Sequence, residues 1–157
     1  MEMNFCFFLL AEGAKLQGGI MKPGVIKVKT NKESCQGCRT CEAVCSLVHT
    51  EAVSPQTRGI QVKELNELGK FKLTVCQQCS DMLCAEACPV SCITRNAYSG
   101  AVVIEDGCTA CGACVDACPI GAIVMTDLNG EKKPFKCDLC GGLPECVAAC
   151  PRQSLSW

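Results

Sequence analysis

The sequence predicts an α+β fold: a pseudo-symmetric pair of small modules whose short strands and short helices wrap inorganic centres. Three observations predict it. Cysteine supplies 18 of the 157 residues, and sixteen of those eighteen fall into four tetrads. A short apolar or alternating run precedes each tetrad, and three of the four tetrads leave by the same exit, C-P-x-x-small-aliphatic. Aromatic residues make up only 4% of the chain, so an ordinary core would be marginal and bonds to metal must supply much of the cohesion.

In chain order, residues 1–22 read as an N-terminal extension, with Met21 a sensible alternative start before Lys22-Pro23-Gly24. The apolar stretch Phe5–Ala11 is too short for a bilayer, which takes roughly 20 residues, and Glu2 stands where a secretory signal carries positive charge. Val25–Lys29 alternates like a half-exposed strand and leads to the first tetrad, Cys35, Cys38, Cys41 and Cys45. A turn at Asn66–Gly69 and a strand at Phe71–Val75 precede the second, Cys76, Cys79, Cys84 and Cys88. Its exit opens a strand at Ile93, which turns at Asn96–Gly100 into Ala101–Ile104. The third tetrad is Cys108, Cys111, Cys114 and Cys118, and its exit opens the strand Ile123–Met125. A turn at Asp127–Gly130 and the run Pro134–Lys136 precede the fourth, Cys137, Cys140, Cys146 and Cys150. Between the third and fourth cysteine of each tetrad, as in Val115–Ala117, the chain has room for one helical turn or two.

The third tetrad reads C-x2-C-x2-C-x3-C-P, the run that holds a [4Fe–4S] cluster in bacterial ferredoxins. The second and fourth widen the gap before the third cysteine, and the first has Ser46 where the others have proline. A cluster offers four irons, each wanting one thiolate, and the loop supplies three. Gly37 and Gly112 let backbone approach closely, while Pro89, Pro119 and Pro151 fix the exit direction. In two-cluster proteins the fourth cysteine ligates the other cluster. Zinc sites join separate C-x2-C pairs and need no x3-C-P; disulfides belong to oxidising compartments. The expectation is four [4Fe–4S] clusters in a cytoplasmic chain with no membrane span.

The formal charge is −1. Sixteen ligand thiolates and four cores of about +2 each would carry it to about −9, which argues against nucleic acid as partner. Trp157 and Tyr98 leave little for base stacking. Cys92 matches Ala122 and Ser154 in the repeat and reads as filling a small buried slot. Cys6 reads as inert. His49, the single histidine, cannot build a Rieske-type centre, which needs two; it reads as a polar loop residue placed to tune a nearby cluster. Asp106, Asp116 and Glu145 read as solvated surface. Lys132, Lys133 and Lys136 read as a small basic surface group or a docking edge. No Ser–His–Asp set or phosphate loop is present, so the chain is expected to move electrons without bond chemistry. A cluster-based regulator would need a reader module, and none is visible.

With these motifs, residues 23–155 resemble the four-cluster, ferredoxin-type electron-transfer subunits of multisubunit redox enzymes. The short form, with Cys45-Ser46-Leu47-Val48-His49 after the first motif, is similar to the small subunits serving tungsten or molybdenum pterin aldehyde oxidoreductases or carbon monoxide dehydrogenase. The resemblance implies that the first and fourth motifs pair, as do the second and third. Cys35, Cys38, Cys41 and Cys150 would bind one cluster; Cys137, Cys140, Cys146 and Cys45 its mate. Cys76, Cys79, Cys84 and Cys118 would bind a third; Cys108, Cys111, Cys114 and Cys88 the fourth. It implies bacterial-ferredoxin-like modules within 23–157, an outer one from 23–60 and 128–157 and an inner one from 61–127. It also implies a large catalytic oxidoreductase subunit as partner, with a flavin or ferredoxin protein as second redox partner, in anaerobic metabolism. The alternatives are a free polyferredoxin and a subunit of carbon monoxide dehydrogenase or nickel–iron hydrogenase. Leu155 and Trp157 are the candidate docking residues.

Overall fold

The computed structural model describes residues 26–128 and 130–157. The expected extension, with Cys6 and Met21, lies outside the described residues, as does Val25.

The molecule is a small mixed assembly of four helices and eight short strands among the described residues. The strands form four antiparallel pairs: β1 (Lys29–Thr30) with β8 (Leu155–Ser156), β2 (Ile60–Glu64) with β3 (Phe71–Val75), β4 (Ile93–Arg95) with β5 (Val102–Ile104), and β6 (Val124–Leu128) with β7 (Glu131–Phe135). Three pairs are hairpins whose turns match the expected ones. At Asn96 the side-chain oxygen accepts from Tyr98 N–H at 2.9 Å and Ser99 N–H at 3.0 Å, an Asx turn. Asp127 accepts from Gly130 N–H at 2.8 Å in the same manner.

Each tetrad spans a loop and then a helix: α1 (Thr40–Thr50), α2 (Leu83–Glu86), α3 (Ala113–Ala117) and α4 (Glu145–Ala148). The third cysteine is the second residue of its helix in every copy, and the fourth follows four residues later. In α1 both lie within the helix, on one face and one turn apart, whereas in the other three copies the fourth lies just past the helix end. Helix α1 lies against α4, and α2 against α3.

Two apolar cores result. One gathers Val28, Ile60, Val62, Val75, Leu139 and Leu155 around Cys41, Cys45, Cys137 and Cys146. The other gathers Cys92, Ile93, Val102 and Ile123 around Cys114. The β2–β3 hairpin begins at the expected module boundary yet buries Val62 and Val75 in the first core. Packing therefore does not break at residue 60.

Four expectations need correction. The first strand begins only at Lys29, because Ile26–Val28 has no strand partner and Val28 is buried in the core. The helix of the first tetrad runs 11 residues where one or two turns were expected. Proline after the fourth cysteine ends the other three helices, whereas Ser46 lets this one continue. Leu155 pairs with Thr30 and is buried, which removes it from any docking face; Trp157 is exposed. Lys136 is not surface, being only 4% exposed.

Candidate iron–sulfur sites

Backbone conformation sets up the cysteine loops. In each copy the residue two places after the first cysteine has a positive φ: Gly37 (68°), Gln78 (53°), Ala110 (55°) and Leu139 (61°). Left-handed residues curl a loop tightly and turn successive N–H groups inward, the nest geometry that favours anions. Only the first copy uses glycine, and there a side chain would run into the Phe71 ring.

The exits repeat as closely. Ser91, Gly121 and Gln153, each three residues past the fourth cysteine, all have positive φ. This aims the next N–H back at sulfur. Cys92 N–H donates to Cys88 Sγ at 3.4 Å, Ala122 N–H to Cys118 Sγ at 3.3 Å, and Ser154 N–H to Cys150 Sγ at 3.3 Å. The first tetrad lacks this exit, and its Cys45 Sγ accepts instead from Gly59 N–H at 3.2 Å, fourteen residues on. Donors on sulfur stabilise a cluster's negative charge and raise its potential.

The folded chain gathers the cysteines into four groups. A cavity of about 100 Å³ is lined by Cys76, Cys79, Cys84 and Cys118. A second is lined by Cys88, Cys108, Cys111 and Cys114, with Cys92 beside them. A third is lined by Cys35, Cys38, Cys41 and Cys150. Each takes three cysteines from one tetrad and one from another. The remaining four meet through charge: burial pushes the Cys146 thiol up, and the nearby thiols of Cys137, Cys45 and Cys140 push it further.

Electrostatics then tests the fit to a metal group. Burial lifts Cys41 to about 12, with Glu42 and then Cys150 and Cys38 adding to it. Cys137 also rises to about 12, through burial first and then Cys45 and Cys76. Several buried sulfurs that oppose one another's ionisation need a multivalent cationic core if all are to be thiolates. The donor set is all sulfur, the backbone donors point at it, and the cavities are lined by it. The residues fit iron–sulfur clusters.

His49 sits in the last turn of α1 and not in a loop. Its Nδ1 lies 2.7 Å from the Cys45 carbonyl and its Nε2 lies 3.0 Å from Asp138 Oδ1. The Asp138 bond foremost, then Cys45, lifts it to about 11. Burial would raise Asp138, but the His49 bond and charge and the Cys140 N–H hold it below the usual carboxylate range. Donor atoms of His49, Asp138 and Cys140 lie within 4.8 Å of one another, yet both imidazole nitrogens are already engaged, so the histidine braces this group of cysteines.

Cys92 is buried, with its Sγ 3.4 Å from Cys88 Sγ. Asp106, Asp116 and Glu145 are exposed, as are Lys132 and Lys133. The sequence reading missed Gly59, Gln78 and Arg95. Gln78 is fully buried and bridges two loops, its Nε2 donating to the Cys137 carbonyl at 3.0 Å and its Oε1 accepting from Val102 N–H at 2.7 Å. Arg95 caps the same loop, donating to the Cys79 carbonyl at 2.6 Å. The positive-φ place in the repeat was the available signal for Gln78. Among the described residues no helix is long and apolar enough to cross a membrane.

Known proteins are similar to this chain in sequence. A family model described as a 4Fe-4S dicluster domain matches residues 101–151, and one described as a 4Fe-4S binding domain matches residues 32–50. A Pyrococcus furiosus protein named aliphatic sulfonate oxidoreductase, polyferredoxin-like subunit, is 42% identical over 119 residues, covering 75% of this chain and 67% of its own. Two Escherichia coli K12 proteins are similar over most of their lengths. The putative electron transport protein YsaA is 35% identical, with 77% of this chain and 82% of its own covered. The electron transport protein HydN is 34% identical, with 77% and 81% covered.

Proposed function

This chain belongs to the ferredoxin-type [4Fe–4S] electron-transfer family, and we propose that it is the electron-relay subunit of an oxidoreductase complex, carrying four clusters in a line. The observation that carries this reading is the gathering of cysteines from two tetrads around each of three cavities. On this reading Cys35, Cys38, Cys41 and Cys150 hold the first cluster, and Cys45, Cys137, Cys140 and Cys146 the second. Cys76, Cys79, Cys84 and Cys118 hold the third, and Cys88, Cys108, Cys111 and Cys114 the fourth. The modules are a pseudo-symmetric pair, the outer built on α1 and α4 and the inner on α2 and α3, with the β2–β3 hairpin between them.

The order along the line follows from which thiols feel one another. Cys146 feels Cys41, linking the first and second groups. Cys137 feels Cys76, linking the second and third. Cys114 feels Cys84, linking the third and fourth. Bound clusters would supply one-electron reduction and oxidation without bond chemistry. The protein's part is to hold neighbouring groups close and to leave Cys38 and Cys111 exposed at the two ends, with Cys79 of the third group exposed as well.

The partner in this reading is a large catalytic subunit, of tungsten or molybdenum pterin aldehyde oxidoreductase type, with a flavin or ferredoxin protein at the other end, in the cytoplasm. The subunit name of the Pyrococcus relative favours a dedicated subunit over a free polyferredoxin; the chain itself has no catalytic role. Anaerobic purification from the native host, with metal analysis, tests it. A co-purifying large subunit with tungsten or molybdenum, and about sixteen irons per small chain at four per cluster, is the expected result. A lone chain of that iron content would leave a free polyferredoxin, and nickel in the large subunit would move the partner to a hydrogenase or carbon monoxide dehydrogenase.

A further inference from the structure

Lys136 is the only buried lysine or arginine among the described residues. Its ammonium donates to the Val102 and Cys137 carbonyls, and no carboxylate among the described residues pairs with it. A buried cation is costly unless something anionic compensates it. The next residue, Cys137, belongs to one of the cysteine groups. Lys136 follows β7 directly into Cys137, and Val102, whose carbonyl it bonds, lines the cavity of Cys76, Cys79, Cys84 and Cys118. Those cysteines belong to the two central groups, on opposite sides of the module junction. Gln78 grips the same two peptides, Val102 and Cys137, so the ammonium and the carboxamide lie side by side and fix each other's place.

We propose that Lys136 is a shared positioning charge for the two central clusters, favouring reduction of both, with Gln78 holding it in register. The inference rests on the ligand assignment above. The step is a one-electron reduction in which no bond forms or breaks, and the electron comes from the redox partner. A fixed positive charge stabilises the added electron, so both central potentials lie higher than they would without it.

Anaerobic redox titration followed by electron paramagnetic resonance tests this on the full iron-loaded chain. K136M is expected to weaken reduction of two clusters at least tenfold each, about 59 mV for a one-electron couple, while the other two stay in place. K136R is expected to keep wild-type values. Four unmoved potentials, or an equal fall in all four, would overturn the proposal. Should K136M lose iron, K136Q decides: a neutral carboxamide can still donate to a carbonyl and lacks only the charge, and the same two potentials must fall. Iron content separates the two readings. A wild-type chain with fewer than four clusters sinks the ligand assignment, whereas four clusters with unmoved variants sink the role of Lys136 alone.

Discussion

Gly59 carries no side chain because none fits. A Cβ there would stand 2.7 Å from Cys137 N and 2.8 Å from its Cα, both backbone atoms that cannot swing aside. The same residue donates its N–H to Cys45 Sγ, so one glycine touches two cysteines of one proposed cluster. G59A is expected to push these apart, at an overpacking cost of about 1–3 kcal/mol, and to remove that cluster. Iron per chain should fall from about sixteen to about twelve, four irons per cluster, by colorimetric assay on anaerobic protein. Retention of all the iron would show that the Cys137 loop gives way freely. Glu42 is a second residue whose work is positional. It is buried next to Cys41 and accepts from Val62 N–H at 2.8 Å, with Arg58 Nε at 2.9 Å and Arg39 Nη1 at 3.5 Å. Removing it would strand the half-buried Arg58 guanidinium as well as a backbone donor.

Among the elements, α1 shows how one residue sets helix length. The other helices meet proline directly after their last cysteine, but α1 meets Ser46. That side chain is fully buried, donates to the Ala52 carbonyl at 2.8 Å and accepts from Ser54 N–H at 2.8 Å, which folds the segment after the helix back onto it. S46P would lose both bonds and one helical hydrogen bond while clashing with the preceding turn, at about 3 kcal/mol or more. P89S, at an exposed exit, is expected to cost under about 1 kcal/mol. Urea titrations of the two iron-loaded variants under argon, followed by circular dichroism, check the contrast; equal midpoints would contradict it. The elements legible in sequence were those with local signals: Phe71–Val75 by its apolar run, three turns by Asn, Asp and Gly, and the helix starts by the cysteine spacing. Strand β2 was not named although Gly59 precedes it and Ile60 and Val62 alternate with polar residues, so its signal was present and unread. The length of α1 was missed because the repeat suggested equal copies, and the missing proline was seen as a departure without being followed to its consequence. The burial of Lys136 was illegible because it depends on Val102 and Gln78, distant in sequence, offering their carbonyl and amide groups at one place. In the cysteine sites, spacing carries the loops, but which tetrad lends a cysteine to which is a property of helix packing between distant segments.

At the scale of the whole molecule, the cores cannot be separated from the sulfur they contain. Four of the buried residues in the first core are cysteines, and the second core is smaller and leans on Cys92 and Cys114. With iron removed, buried thiols such as Cys41 and Cys137, lifted to about 12 by burial, stay protonated at neutral pH. Charge repulsion is therefore relieved, and what remains is lost bonding and empty space. The walls of the cavity of about 100 Å³ lose the bonds across it, in a fold whose stability is usually only ~5–15 kcal/mol. On the proposed ligand assignment, the iron–thiolate bonds that would tie α1 to α4 and α2 to α3 are gone as well. Strands of two to five residues in isolated pairs are marginal without such support. The chain without iron is thus expected to be largely unfolded. Anaerobic chelation should abolish most far-ultraviolet circular dichroism and the cooperative thermal transition, and reconstitution with iron and sulfide should restore both. A native-like, cooperative melt after complete iron removal would mean that the apolar cores suffice and that the metal groups serve electron transfer without holding the fold.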